Sequence, residues 1–99
     1  MKLLAIGRPR PGADSGQITR HARGEMLALW RLCRGGVVRE MYSPGRPGAV
    51  LVMETASRGE AEAALAALPL AAHGVIGFEL IELHPFSAFE VLFAGGPPT

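Results

Sequence analysis

The sequence predicts one α+β domain of 99 residues with the element order β-α-β-β-α-β. Apolar residues alternate with period two in four segments, and they recur every three or four positions in two others. Glycine- or proline-rich stretches separate these segments. The order is that of the ferredoxin-like split βαβ plan, in which both helices cover one face of a four-stranded antiparallel sheet. Residues 1–94 are expected to form this domain, and residues 95–99 a flexible tail.

A proline-rich segment separates the first strand from the first helix. Residues 2–7 form the predicted strand, whereas residues 8–12 cannot hold regular structure because each proline lacks an amide hydrogen. Asp14 or Ser15 is the expected N-cap of the helix, and Gly35-Gly36 marks its end. The helical spacing is carried by Ile18, Ala22, Glu25 or Met26, Leu29 and Leu32-Cys33.

A hairpin is predicted next, with strands at residues 37–42 and 49–54 around a Gly- and Pro-rich turn. Regular alternation places Val37, Arg39 and Met41 on one face of the first strand and Val38, Glu40 and Tyr42 on the other. Both faces of the second strand are largely apolar. Since a solvated sheet face is normally polar, this pattern predicts that both faces are covered.

The second half of the chain repeats the helix and strand pattern. Ser57 is the expected N-cap of the second helix, with Glu60 three residues later as in a capping box. The helix is expected to continue to Leu68 and to be stopped by Pro69. Residues 76–84 form the fourth predicted strand, which is again apolar on both faces.

The segment at residues 85–94 carries three of the four phenylalanines. Their spacing predicts a short C-terminal helix capped by Ser87. Because aromatic side chains bury large areas, we expect these rings to pack on a neighbouring subunit.

The two helices of this plan leave one sheet face bare, and the sequence makes that face apolar. Covering it would supply about 25 cal/mol per Å² of apolar surface, before the cost of association. We therefore expect a homodimer, or a higher homo-oligomer, in which two copies cover each other's sheets.

Composition and motifs argue against several classes of protein. A net charge of +1 gives no field that would attract nucleic acid or an anionic membrane. The single cysteine, Cys33, excludes an internal disulfide and a CxxC motif. The histidines lack metal-ligand spacing and no phosphate loop is present, so we expect neither a metal nor a cofactor. The apolar run after Lys2 is too short for a signal peptide, which favours a cytoplasmic protein.

Two stretches carry a family resemblance. Residues 25–42, a helix leading through Gly35-Gly36 into Val38-Arg39-Glu40-Met41-Tyr42, resemble the corresponding part of the muconolactone isomerase-like proteins. Leu68-Pro69-Leu70, followed by a strand that closes in His84-Pro85, is also similar to them. The resemblance implies a dimeric α+β barrel, in which two ferredoxin-like sheets face each other.

Muconolactone isomerisation needs a base near the carbon acid, a donor for the developing enolate and a cation for the substrate carboxylate. Glu25 is the candidate base, because helical spacing places it on or near the apolar face. His21, one turn earlier, is its candidate partner. Tyr42 is the candidate donor to the oxyanion, and Arg39 the candidate carboxylate clamp.

Structural alternatives stay open for these residues. Glu25 at a solvated edge would pair with Arg20 or Arg23, and Tyr42 would serve in packing. On a regular strand Arg39 and Tyr42 face opposite sides, so both line one pocket only if a bulge intervenes. Arg20 and Trp30 complete the candidate substrate-binding set, with a subunit contact as the alternative role of Trp30.

The leading functional hypothesis is a cofactor-free isomerase that moves a proton in a small acidic lactone or a related aromatic-degradation metabolite. One alternative is a cofactor-free monooxygenase-like enzyme. Another is a non-catalytic dimer that binds a small ligand or serves as an interaction module. An RNA-recognition module ranks last, because residues 2–7 and 49–54 carry no aromatic side chain for base stacking.

Overall fold

A computed structural model describes residues 1–98. Thr99, the end of the expected flexible tail, lies outside the described residues. The strands are β1 (Lys2–Pro9), β2 (Val38–Tyr42), β3 (Ala49–Glu54) and β4 (Ile76–Leu83). The helices are α1 (Ser15–Arg34), α2 (Arg58–Ala66), α3 (Pro69–Ala72) and a C-terminal 3-10 helix (Ser87–Phe93).

The four strands form one antiparallel sheet in the order β2-β3-β1-β4. Strand β1 lies inside the sheet, with Leu4 opposite Val52 on β3 and Ile81 on β4. This order interleaves two β-α-β crossovers, as the split βαβ plan requires. The predicted α+β fold class is confirmed.

One face of the sheet is covered by the helices and forms the core. On β1 the side chains of Leu3 and Ala5 are fully buried there, and Leu51 and Met53 are fully buried on β3. The helices contribute Leu29, Ala61 and Leu65, with Leu68 beside them.

The other face, which we call the open face, carries no helix from residues 1–98. Its central residues are the intervening positions of the same strands, Leu4, Ile6, Val50, Val52, Ile81 and Leu83. Ile81 and Leu83 are each 39% exposed. The centre of the open face is therefore apolar, as the sequence indicated, while Lys2, Glu54 and Glu79 share that face around it.

Helix α1 begins after Asp14 and ends before Gly35, as the sequence predicted. Asp14 is the N-cap, and its carboxylate accepts a hydrogen bond from Gly16 N at 2.9 Å. The helix runs unbroken to Arg34, and Gly36 follows with φ of +81°, a conformation that glycine adopts without strain. Gly24, inside the helix, has no side chain to separate it from the Pro69 ring, whose Cγ lies 3.7 Å from an ideal Cβ.

Strand β2 departs from regular alternation. Val38 pairs with Met53 and Glu40 with Val52, so Arg39 is an extra residue in a β-bulge. The bulge puts Val38 and Met41 on the helix-covered face, where Met41 Sδ lies 3.3 Å from Cys33 Sγ. The expectation that Val38 shares a face with Glu40 and Tyr42 is therefore wrong.

The second crossover contains two short helices where one was expected. Ser57 caps α2 by accepting a hydrogen bond from Glu60 N, and the Glu60 side chain accepts one from Ala56 N. Helix α2 ends at Ala66, and Pro69 then occupies the first turn of α3. Proline is compatible with that position because the first amide of a helix has no internal partner.

The C-terminal arm, residues 85–94, runs away from the sheet. Its 3-10 helix has Phe86 as N-cap without a side-chain hydrogen bond, so the expected cap at Ser87 is wrong. The arm makes the molecule long, with extents of 59 × 26 × 20 Å. Within residues 1–98, no helix combines the length and the apolar character that crossing a membrane requires.

Candidate functional site

Among residues 1–98, Glu25 is the one buried charged residue of the core, and it is only 4% exposed. Its Oε1 accepts a hydrogen bond of 3.0 Å from Leu70 N, in the first turn of α3. Helical spacing therefore did place this carboxylate on the inner face of α1. Its bond joins α1 to α3, because an N-terminal amide of a helix has no partner within the helix.

His21 lies one turn before Glu25 and stacks on His73, which follows α3. The two ring centroids are 4.1 Å apart and the planes are inclined by 25°. His73 Nδ1 lies 2.8 Å from the carbonyl oxygen of Pro69. His21 and Glu25 thus both contact the α3 region.

Tyr42 lies on the open face at the outer edge of the sheet and is mostly exposed. Its hydroxyl donates a hydrogen bond of 2.7 Å to Glu40 Oε1. This bond and the negative charge of Glu40 raise the pKa of Tyr42 above its usual value near 10. The phenol therefore stays protonated at neutral pH.

The three candidate substrate-binding residues lie apart from one another. Arg39, in the bulge, donates from Nε to the carbonyl oxygen of Gly36. Arg20 and Trp30 are exposed on α1, and Trp30 is 63% exposed. Within one copy the sheet separates Tyr42 from Glu25, so these candidates do not meet in a single pocket.

A cavity of about 340 Å³ lies elsewhere, between α2, α3 and the edge strand β4. We call it the edge cavity. Its apolar walls come from Leu65, Ala66, Ala71, Ile76, Gly77, Phe78 and Leu80. Its polar lining consists of Arg10, Arg58 and Glu62. Apolar walls with a few polar groups are typical of small-molecule sites.

Arg10 brings a guanidinium over β4 from the segment that follows β1. The main-chain N of Arg10 donates a hydrogen bond of 2.8 Å to the carbonyl oxygen of Val75, and this bond fixes the backbone from which the side chain extends. Gly77 makes room for the guanidinium, because an added Cβ would lie 3.3 Å from Arg10 Cζ. Among residues 1–98, no carboxylate lies within 4 Å of the Arg10 guanidinium.

Arg58 and Glu62 stand one turn apart on α2 at the cavity wall. Arg58 Nε donates a hydrogen bond of 3.0 Å to Glu62 Oε1, and Arg58 Nη2 donates one of 3.2 Å to the carbonyl oxygen of Leu80. The second bond ties α2 to β4 across the cavity. Glu62 is the carboxylate that lines the edge cavity, whereas Glu25 is outside its lining.

Phe78 forms the side of the cavity next to β1. The ring lies over Gly7, where an added Cβ would approach Phe78 Cε1 to 2.6 Å. The missing side chain at Gly7 therefore gives the ring its position.

Sequence reasoning did not identify Arg10, Arg58 and Glu62 as site residues. They come from separate segments, and only the i,i+4 spacing of Arg58 and Glu62 could have signalled a pair. No group of three His, Cys, Asp or Glu side chains in the described part of the chain could hold a metal ion.

Comparison with known proteins yields matches among solved structures. No family model matches the chain, and no curated protein matches it. Muconolactone isomerase, solved at 3.3 Å, has a TM-score of 0.68 and 24% identity, over 88% of this chain and 94% of that chain. The 5-chloro-2-hydroxyhydroquinone dehydrochlorinase TftG of Burkholderia phenoliruptrix AC1100, in complex with 2,5-dihydroxybenzoquinone, has a TM-score of 0.64 and 19% identity. That match covers 85% of this chain and 94% of that chain. At such identities the likeness concerns the fold, and the chain shares the fold of muconolactone isomerase and of this dehydrochlorinase.

Proposed function

We propose that the protein binds a small carboxylated ring compound in the edge cavity and isomerises it by moving a proton, without a cofactor. The observation that carries this proposal is Arg10, a guanidinium at an apolar cavity with no carboxylate partner among the described residues. Guanidinium binds carboxylate through two parallel hydrogen bonds, so it both holds and orients such a substrate.

The proposed chemistry assigns one role to each polar group of the cavity. Arg10 binds the substrate carboxylate. Glu62 takes a proton from the ring carbon at the far end of the conjugated system and returns it to the carbon next to the lactone carbonyl. Arg58 stabilises the negative charge that develops on the carbonyl oxygen. The proton is conserved, so the step needs no oxidant or reductant.

The structural neighbours support the class of substrate. One is named for the isomerisation of muconolactone, and the other was solved with 2,5-dihydroxybenzoquinone. Both names concern small oxygenated rings. A cavity of about 340 Å³ is at the lower end of the range for small-molecule sites, which suits a compound of that size.

The proposed active form is a homodimer that pairs through the open face. The support is the apolar row on that face, Leu4, Ile6, Val50, Val52, Ile81 and Leu83. Large apolar patches on a protein surface mark sites of association.

A non-catalytic ligand-binding protein is the second candidate. The observation that favours it is that both candidate bases are already engaged by donors of the protein, Glu62 by Arg58 and Glu25 by Leu70 N. A base held in this way binds a ligand without the freedom to take its proton.

The test is turnover and binding of muconolactone by the purified protein. We expect Arg10→Gln to raise KM about tenfold or more, since it removes the carboxylate clamp. We expect Glu62→Gln to lower kcat about 100-fold, the usual contribution of a general base. Arg46→Gln, in the exposed β2–β3 turn, is the matched control and should behave like the parent protein.

Other outcomes have distinct meanings. If Glu25→Gln abolishes turnover and Glu62→Gln does not, the base is Glu25. Binding that depends on Arg10 without turnover would support the second candidate. Absence of both binding and turnover with lactones and carboxylated rings would reject the proposal.

A further inference from the structure

The C-terminal arm is apolar, and the other residues of the range 1–98 leave it exposed. Five of its side chains are between 54% and 78% exposed, namely Phe86, Phe89, Val91, Leu92 and Phe93. The radius of gyration is 17.0 Å, whereas a compact chain of this length has about 13 Å. Exposed apolar surface of this extent marks a site of association.

Helix α1 presents such a surface on its outer side. Arg23, Met26, Leu27 and Trp30 follow the i, i+3, i+4, i+7 spacing, and we call this row the α1 stripe. Its three large apolar side chains are all exposed. A groove lies along the stripe, lined by Ala22, Arg23, Met26 and Leu27.

The charges of the two surfaces are complementary. Glu90 is the only charged residue of the arm. The exposed charges of α1 are all positive, from Arg20, Arg23, Arg31 and Arg34. An arm lying on the stripe would bring Glu90 into this positive field.

We propose that the arm of one copy docks on the α1 stripe of a second copy of the chain. The three phenylalanines of an arm would bury about 150–250 Å² each if they were fully exposed. At 55–73% exposed they leave roughly 400 Å² to be covered on every arm. Two reciprocal arms, together with the similar area that they cover on the two stripes, exceed about 1,000 Å², the lower bound for a specific protein interface. Each copy offers one arm and one stripe, so the contact closes in a symmetric pair or continues around a ring.

Trp30 is the only tryptophan and reports directly on this contact. In the full-length protein at high concentration, we expect blue-shifted emission and weak quenching by acrylamide. In the variant Phe86→Ser/Phe89→Ser/Phe93→Ser, the quenching constant should rise about threefold or more, because the indole returns to water. Equal quenching in both proteins at every concentration would overturn the proposal.

A photo-crosslinker at position 89 identifies the receiving surface and the receiving copy. In a mixture of ¹⁵N-labelled and unlabelled protein, we expect crosslinks between copies that map to residues 23–30. Crosslinks to residues 49–54, or crosslinks only within one copy, would contradict the proposal.

A charge exchange tests the orientation of the arm. We expect Glu90→Arg and Arg23→Glu each to weaken self-association about threefold, and the double variant to restore it. Arg46→Glu is the control, because this residue lies in the distant β2–β3 turn. Lack of rescue in the double variant would reject the Glu90–Arg23 contact. All three readouts are independent of catalysis, so they hold or fail separately from the proposed function.

Discussion

At the scale of single residues, Glu25 shows how a buried carboxylate can join two helices. It is the only charged side chain in the core of the described part of the chain, and it contacts the start of a helix of four residues. The first amides of a helix have no acceptor within the helix. The carboxylate satisfies one of them and fixes α3, which carries Ala71 of the cavity wall.

Glu25→Ala should lower the free energy of unfolding by about 1–3 kcal/mol, because the Leu70 amide would be left buried without an acceptor. Glu25→Gln should cost less, since its amide oxygen can still accept the bond. Urea unfolding measures both. Glu79→Ala, which removes the exposed pair with Arg8, is the control and should cost about 1 kcal/mol or less. A loss for Glu25→Ala no larger than this control would show that the bond contributes little.

At the scale of elements, the β2–β3 turn depends on glycine for two different reasons. Gly45 has φ of +81° but stands in open space. Gly48 has φ of +134°, and an added Cβ would lie 2.3 Å from the carbonyl oxygen of Gly7. The second glycine therefore allows β3 to start directly against β1.

We expect Gly45→Ala to lower the free energy of unfolding by about 1–2 kcal/mol, because alanine is strained at a positive φ. Gly48→Ala should cost about 3 kcal/mol or more, because strand β3 must also move away from Gly7. Thermal and urea unfolding compare the two variants, which have the same change in composition. Equal losses would mean that the contact with Gly7 relaxes easily.

The elements also show what the sequence could and could not predict. Periodicity identified the strands and helices because each pattern is local. It predicted regular alternation in β2 and named a bulge only as a condition, because apolar residues on both faces of this strand fit either register and do not mark the extra residue at Arg39. It also treated Pro69 as a stop, although proline fits the first turn of α3. The polar residues of the edge cavity were missed because only the fold brings Arg10 to α2.

At the scale of the whole molecule, the two faces of the sheet differ in what covers them. The helices cover one face, while the centre of the open face is apolar and no helix within residues 1–98 covers it. Two adjacent residues of β3 allow each face to be tested separately. Leu51 is fully buried under the helices, and Val52 lies on the open face.

Val52→Lys should weaken self-association at least tenfold and leave a folded chain, because a charge on the open face opposes pairing. Leu51→Lys should unfold the protein, since it buries an unpaired charge in the core. Sedimentation velocity and circular dichroism separate these effects. A Val52→Lys protein with unchanged self-association would show that the open face is not the interface.

The pairing of β1 with β4 has a consequence for how the chain is made. Lys2 lies opposite Leu83, so the first and last strands of the domain are neighbours. A contact between such distant parts of a sequence forms slowly, because a long loop must close first. During synthesis, β1 therefore has one unpaired edge until β4 has left the ribosome. A chaperone that covers this edge of β1 would raise the yield of native protein.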